Sequence, residues 1–289
     1  MTEISDLTDI RLTDPGRIGR LLAERSRPGL PADGRLMIIA CDHPARGSLS
    51  ALGRPTAMAD RPELLRRLVT ALSRPGVDGV LATADILEDL LLLGALEGKI
   101  VFSSLNRGGL SGSCFEADDR MTGYDVRGTV ESGFDGAKML LRIVVDDPAT
   151  ASTLQACGQA VTELNRAGHI ALVEPFLARH TDAGRIANDL TPEAVITSIA
   201  IAQGLGASSA YTWLKLPVTD RMEEVAAATT LPSLLLGGDP EGSADETYAQ
   251  WAAALKLPPI RGLVVGRSLL YPRDDDVAAA VDIAAGMVH

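Results

Sequence analysis

Three features of the 289-residue sequence predict an α/β fold, a (β/α)8 TIM barrel with an N-terminal helical extension. Eight short apolar runs recur along it, at 36–41, 79–83, 100–105, 136–143, 169–174, 210–216, 233–236 and 262–265. Amphipathic stretches with apolar residues near helical spacing lie between them, among them 61–72, 150–167, 192–203 and 246–257. Aromatic residues make up only 3% of the chain, so the core falls to Leu, Val, Ile and Ala, the aliphatics that fill a barrel interior. Strand alternating with helix eight times closes a parallel sheet on itself.

Taken in order, the first 35 residues precede strand one. They hold a predicted helix at 15–24, with Asp14 as N-cap and Pro15 at its first position. This extension is read as a cover for the closed end of the barrel or as a contact in a homo-oligomer. Pro, Gly and polar clusters at 27–35 and 237–243 punctuate the units without forming a low-complexity linker. Residues 1–289 are therefore read as one domain, with 1–35 as the extension. The stretch 106–127 after strand three is rich in Gly, Ser and charge, and its length suits a mobile loop over the active face. A plain surface connection is the alternative.

The net charge of −11 disfavours nucleic acid as a partner, because the phosphate backbone demands a basic surface. Cys41, Cys114 and Cys157 form neither an even set nor a CxxC spacing, which points away from a disulfide framework and towards a reducing compartment. The chain shows no basic and apolar leader and no apolar run of about 20 residues, so it is expected in the cytoplasm and off the membrane.

Lysine usage is the sharpest signal. Of 27 basic residues only Lys99, Lys138, Lys215 and Lys256 are lysine. Lys99 and Lys256 fall in turn and helix-end contexts that explain them structurally. Lys138 and Lys215 lie inside the apolar runs GAKMLLRI and YTWLKLPV. Alternation along a strand points Tyr211, Trp213 and Lys215 the same way, inward near the C-terminal mouth. An ammonium among apolar groups or beside another cation has a lowered pKa, and its neutral amine attacks carbonyls, which arginine cannot do. The structural alternative is a buried ion-pair partner or a side chain that snorkels to the rim.

Asp42 ends the run LMIIAC and Glu174 ends HIALV, both at strand C-termini, the face where barrel active sites lie. Asp42, Lys138, Glu174 and Lys215 are thus expected to converge. Carbon–carbon cleavage through an iminium needs an amine and a proton shuttle, and Glu174 suits the shuttle. A phosphate subsite is expected from LLLGGDP and LVVGRSLL, where Gly237, Gly238 and Gly266 expose backbone N–H groups and Arg267 adds a forked donor. His43 and Arg46, just past strand one, are further substrate-binding candidates. The four histidines show no metal-ligand spacing, so no metal and no other cofactor is expected.

The blocks ACDHPARGSL, DGAKMLLRI, LVEPF, YTWLKLPV, LLLGGD and VVGRSLL occur in an order that resembles the class I aldolases. That family includes tagatose-bisphosphate aldolase, sulfofructose-phosphate aldolase and, more remotely, archaeal-type fructose-bisphosphate aldolase. The resemblance implies that Lys215 is the Schiff-base lysine and Glu174 the proton shuttle. It further implies that Lys138 and Asp42 are polar partners of the reacting carbons, and that Gly266 and Arg267 bind phosphate. Tagatose-bisphosphate aldolases usually read Asp-Gln-Arg-Gly after strand one. Here Asp42-His43-Pro44-Ala45-Arg46-Gly47 stands in its place, a difference that bears on the substrate and not on the iminium chemistry. The chain looks still more similar to an actinobacterial subgroup linked to inositol catabolism. That likeness implies cleavage of 5-dehydro-2-deoxy-phosphogluconate to dihydroxyacetone phosphate and malonate semialdehyde. A non-catalytic sugar-phosphate-binding barrel and, among enzymes, a metal-dependent aldolase or a phosphate-binding isomerase are the competing readings.

Overall fold

The computed structural model describes residues 2–106, 109–237 and 244–289. Two short helices, α1 (Leu7–Thr13) and α2 (Arg17–Glu24), come first. They lead into β1 (Leu36–Cys41), α3 (Arg61–Leu72), β2 (Gly79–Ala82), α4 (Ala84–Leu92), β3 (Ile100–Ser104), α5 (Val126–Glu131) and β4 (Gly136–Val144). The second half runs α6 (Ala149–Ala167), β5 (Ile170–His180), β6 (Ile186–Asn188), α7 (Pro192–Gln203), β7 (Thr212–Leu216) and α8 (Met222–Ala227). It closes with β8 (Ser233–Leu236), α9 (Ala244–Ala254), β9 (Ile260–Val265), α10 (Arg267–Leu270) and α11 (Val277–Val288).

Eight strands pair in parallel around a closed ring, β1-β2-β3-β4-β5-β7-β8-β9 and back to β1, which is a (β/α)8 TIM barrel. Alternation along each strand divides the core in two. Leu36, Ile38 and Ala40 of β1 point inward with Leu81, Ile100, Phe102, Ile170, Leu172, Leu234 and Val264, and Trp213 packs on the same cluster. Met37, Ile39 and Cys41 face outward into the larger layer formed with α3 and α11. Gly262 lies where β9 crosses closest to β1. A Cβ there would fall 1.9 Å from the Leu36 carbonyl oxygen, and its φ of +138° also excludes other residues.

Several local expectations need correction. Asp14 is not the N-cap of α2. It closes α1, a helix that the sequence pattern does not separate from its surroundings, and its carboxylate accepts a 2.6 Å hydrogen bond from Arg20, while Gly16 holds the N-cap position. The helix expected at 246–257 ends at Ala254. Tyr211 precedes β7 and is exposed, so it does not share the inward face of Trp213 and Lys215. β5 does not stop at Glu174: it continues through Pro175 to His180 and folds back antiparallel on β6. Pairing with β7 ends at Val173, so the missing N–H of Pro175 falls on an edge with no ladder partner to lose.

The extension packs on the barrel. Leu7 and Ile10 bury in the outer core, and Arg11 reaches Glu88 at 2.8 Å and Asp89 at 2.9 Å on α4. The buried Arg25 donates to the carbonyls of Lys99 at 2.8 Å and Gly133 at 2.9 Å, tying the chain to the closed end just before β3 and β4. Among the described residues no helix is long and apolar enough to cross a membrane.

Candidate active site

The alternation that puts aliphatic residues in the barrel's interior puts polar ones at its open end. Continuing the inward parity gives Asp42 after β1, Ser104 on β3, Lys138 on β4, Glu174 on β5, Lys215 on β7 and Gly266 after β9. Lys138 is in register with Leu172 and Trp213, one layer below Glu174, so its long side chain rises to meet the carboxylates. That depth explains why Lys138 is 0% exposed and Lys215 3%.

The four predicted side chains form a zigzag of alternating charge. Lys138 Nζ lies 3.2 Å from Asp42 Oδ2 and pairs closely with Glu174 Oε2. Glu174 Oε1 in turn lies 2.9 Å from Lys215 Nζ. Ser104 Oγ donates to Asp42 Oδ2 at 3.0 Å. Burial pushes the Glu174 carboxyl up, but the Lys138 and Lys215 ammoniums outweigh it and hold the group down at about 2. Four buried charges are expensive to desolvate and add little net stability over apolar packing. Their concentration at a barrel mouth is therefore an argument for chemistry.

Above this floor opens a cleft of about 580 Å³. His43, Arg46, Gly237, Gly266 and Arg267 line it, as their places in the sequence predict. Gly238 lies outside the described residues. His43 Nδ1 is 3.9 Å from Asp42 Oδ1, beyond hydrogen-bond reach. At Gly266 a Cβ would come within 2.2 Å of the Ala40 carbonyl oxygen, so only glycine lets the chain after β9 lie against β1. Beside Gly237, the buried Ser268 Oγ has no hydrogen-bond partner among the described residues.

Several contributors are not among the residues expected from the sequence. Ser104 is legible there, since it follows Phe102 by two residues and shares its face. Phe176 and Asn188 line the cleft from the unexpected extension of β5 and from β6, and Trp251 lines it from α9. The stretch after β3 is tied down where it is described. Arg142 on β4, 2% exposed, grips Asp119 through Nε–Oδ2 at 2.8 Å and Nη2–Oδ1 at 2.5 Å. Asn106 donates to the Asp119 carbonyl at 2.8 Å. No local pattern announces these pairs, because Asp119 lies 13 positions from Asn106 and 23 from Arg142.

The fold and these side chains define a (β/α)8 barrel with a buried Lys–Glu–Lys cluster at its C-terminal mouth. The Cgl0159-like family matches residues 34–285, and the chain belongs to that family. It is 52% identical to Cgl0159 of Corynebacterium glutamicum (Brevibacterium flavum), covering 99% of this chain and 96% of that one with a TM-score of 0.96. A Schiff-base-forming fructose-1,6-bisphosphate aldolase shares the fold with a TM-score of 0.67 at 18% identity, over 94% of this chain and 100% of that one. An archaeal fructose-1,6-bisphosphate aldolase, with its catalytic Lys covalently bound to the carbinolamine intermediate, aligns at 0.66 and 18% identity over 94% and 99%. No curated protein matches the chain.

Proposed function

We propose that the chain is a class I aldolase, a metal-independent lyase that cleaves a phosphorylated keto-sugar or keto-sugar acid through a Schiff base on Lys215. The observation that carries this reading is the Glu174 carboxylate shared between two buried ammoniums at the mouth of the barrel. The fold shared with aldolases that work through a covalent lysine adds support.

The Lys215 amine attacks the substrate ketone, the carbonyl oxygen takes a proton, and the carbinolamine loses water to give an iminium. A base removes the proton of the hydroxyl across the bond to be cleaved. The bond electrons move to the iminium nitrogen, which leaves an enamine and releases an aldehyde. Protonation and hydrolysis of the enamine then return the amine and release a ketone, dihydroxyacetone phosphate. Glu174 is the proton shuttle. At rest both cations hold it down. It takes the proton that Lys215 gives up to become the nucleophile and returns it to the carbinolamine hydroxyl as water leaves, so that it is a carboxylate again when it accepts the hydroxyl proton and the iminium charge is discharged into the enamine. Lys138 keeps Glu174 and Asp42 oriented. Gly237, Gly266 and Arg267 take the phosphate, and the unpartnered Ser268 Oγ adds a donor beside Gly237. The best candidate substrate is 5-dehydro-2-deoxy-phosphogluconate, followed by tagatose-bisphosphate, fructose-bisphosphate and sulfofructose-phosphate.

Borohydride reduction in the presence of dihydroxyacetone phosphate tests the reading, because it converts the iminium to a stable secondary amine. Peptide mapping should find the adduct on Lys215 and not on Lys138. Lys215→Arg should abolish both adduct and turnover, since arginine keeps the charge and lacks the nucleophile. Turnover that survives in Lys215→Arg with no adduct in the parent would sink the mechanism.

A further inference from the structure

At the closed end of the barrel, opposite the cleft, one imidazole ring joins the end of α11 to the segments that enter β1 and β2. His289 follows the last turn of α11, and its N–H closes that turn on the Ala285 carbonyl at 3.1 Å. Its Nδ1 lies 2.8 Å from Asp33 Oδ2, ahead of β1, and its Nε2 lies 3.1 Å from Asp78 Oδ2, ahead of β2. Asp78 Oδ2 also accepts the Met37 N–H at 2.6 Å, and Asp33 Oδ1 accepts the Arg35 N–H at 2.9 Å, so both carboxylates are fixed to the chain around β1. The turn before β2 comes this close because Gly76, at φ +79°, has no Cβ. One would stand 3.2 Å from Ala285 Cβ and 3.6 Å from His289 Cδ2. The ring is 27% exposed and lines an open groove, so protons reach it from solvent.

We infer that His289 is a proton-operated latch: as an imidazolium it fastens α11 to the entries of β1 and β2, and as a neutral ring it releases one of them. The inference is independent of the aldolase reading. A neutral imidazole has one N–H, so it donates to only one of the two carboxylates and turns a lone pair on the other. An imidazolium donates to both. It also sits at the C-terminal end of a helix, where the dipole favours a cation. Other charged groups stand close by. Lys99 Nζ, ahead of β3, donates to the Val77 carbonyl at 2.6 Å, and Arg74, after α3, pairs with Asp282 of α11 through Nε at 2.7 Å. The Arg35 guanidinium turns to the Leu255 carbonyl at 3.3 Å, and the exposed Lys256, after α9, lines the same groove. Burial works against the charged ring, but the hydrogen bonds and charges of Asp33 and Asp78 outweigh it and hold its pKa above the usual 6.5. The Arg35 N–H and the ring in turn hold the Asp33 carboxyl below its usual 3.8. The latch is therefore complete below 6.5, down to the range where Asp33 protonates, and is lost as the pH rises through the folded value of the ring.

The test titrates the full chain. The Cε1–H proton resonance of His289, identified by its loss in His289→Asn, should move through a midpoint above 6.5. In Asp33→Asn that midpoint should fall, because one of the two anions is gone while Asp78 stays on the Met37 N–H. Hydrogen exchange in the last turn of α11 should show about 3–10-fold more opening near pH 9 than near pH 6 once intrinsic rates are divided out, between the worth of an exposed ion pair and that of a charged hydrogen bond. His289→Asn should open equally at both. Urea unfolding should give the parent its full advantage over that variant below 6.5 and progressively less above it. His289→Gln, one carbon longer, replaces His289→Asn if the latter does not fold. A His289 midpoint at or below 6.5, an unchanged midpoint in Asp33→Asn, or α11 exchange in the parent that ignores pH would each overturn the latch.

Discussion

Lys138→Met keeps most of the length of the side chain and removes one of the two cations beside Glu174, and its consequence can be worked out in sign and size. Glu174 titrates at about 2 in the folded protein against 4.5 for the free group. A depression of that size corresponds to about 3 kcal/mol of folding stability, since each tenfold change in an acid's dissociation constant is worth about 1.4 kcal/mol. Because the folded value is the lower one, this contribution is complete above 4.5 and is lost as the pH falls towards 2. Lys138 is the stronger of the two cations acting on Glu174 and is also paired with Asp42. Its removal leaves two buried carboxylates with the Lys215 ammonium alone, at a cost of about 3–5 kcal/mol at neutral pH. The loss shrinks as the pH falls through the raised pKa of the orphaned carboxyl, because protonating that group relieves the buried charge. Urea unfolding of parent and variant between about pH 4 and 8 measures this directly from the midpoints at constant m-value. A deficit of the same size at every pH would mean that the loss comes from packing and that the charge argument is wrong.

The remaining expectations concern activity. Glu174→Gln should retain some borohydride trapping but slow turnover by about 10²–10⁴-fold, the usual scale for a lost general acid or base; a rate within a few-fold of the parent would move the shuttle to another residue. Arg267→Ala should leave the thermal unfolding midpoint in place and raise KM for phosphorylated substrates, at a cost of about 1.5–3 kcal/mol in binding. An unchanged KM for all of them would place the phosphate elsewhere.

The eight strands and most of the helices are readable one segment at a time, because an apolar run with period two or 3.6 is a local property of the chain. Parity along a strand is local too. Once LMIIAC, GAKMLLRI, HIALVE and YTWLKLPV are strands of a parallel barrel, the directions of Asp42, Lys138, Glu174 and Lys215 follow. Ser104 is available by the same rule. Tyr211 escapes it because parity holds only while the strand lasts, and β7 begins at Thr212. Asp14 escapes the capping rule because a good capping residue serves whichever helix end the packing sets beside it. Closing the ring decided what no window of residues contains. It set Lys138 a layer below its carboxylates, carried β5 past Pro175 into a hairpin, and brought Arg46, Glu116, Arg142 and Arg185 together from four separate segments. These contacts join residues as much as 70 positions apart, as from Arg46 to Glu116, and depend on how far a long side chain reaches across a closed sheet. Residue types and spacings record which way a side chain points; the partner it meets is set by the register of strands distant in sequence.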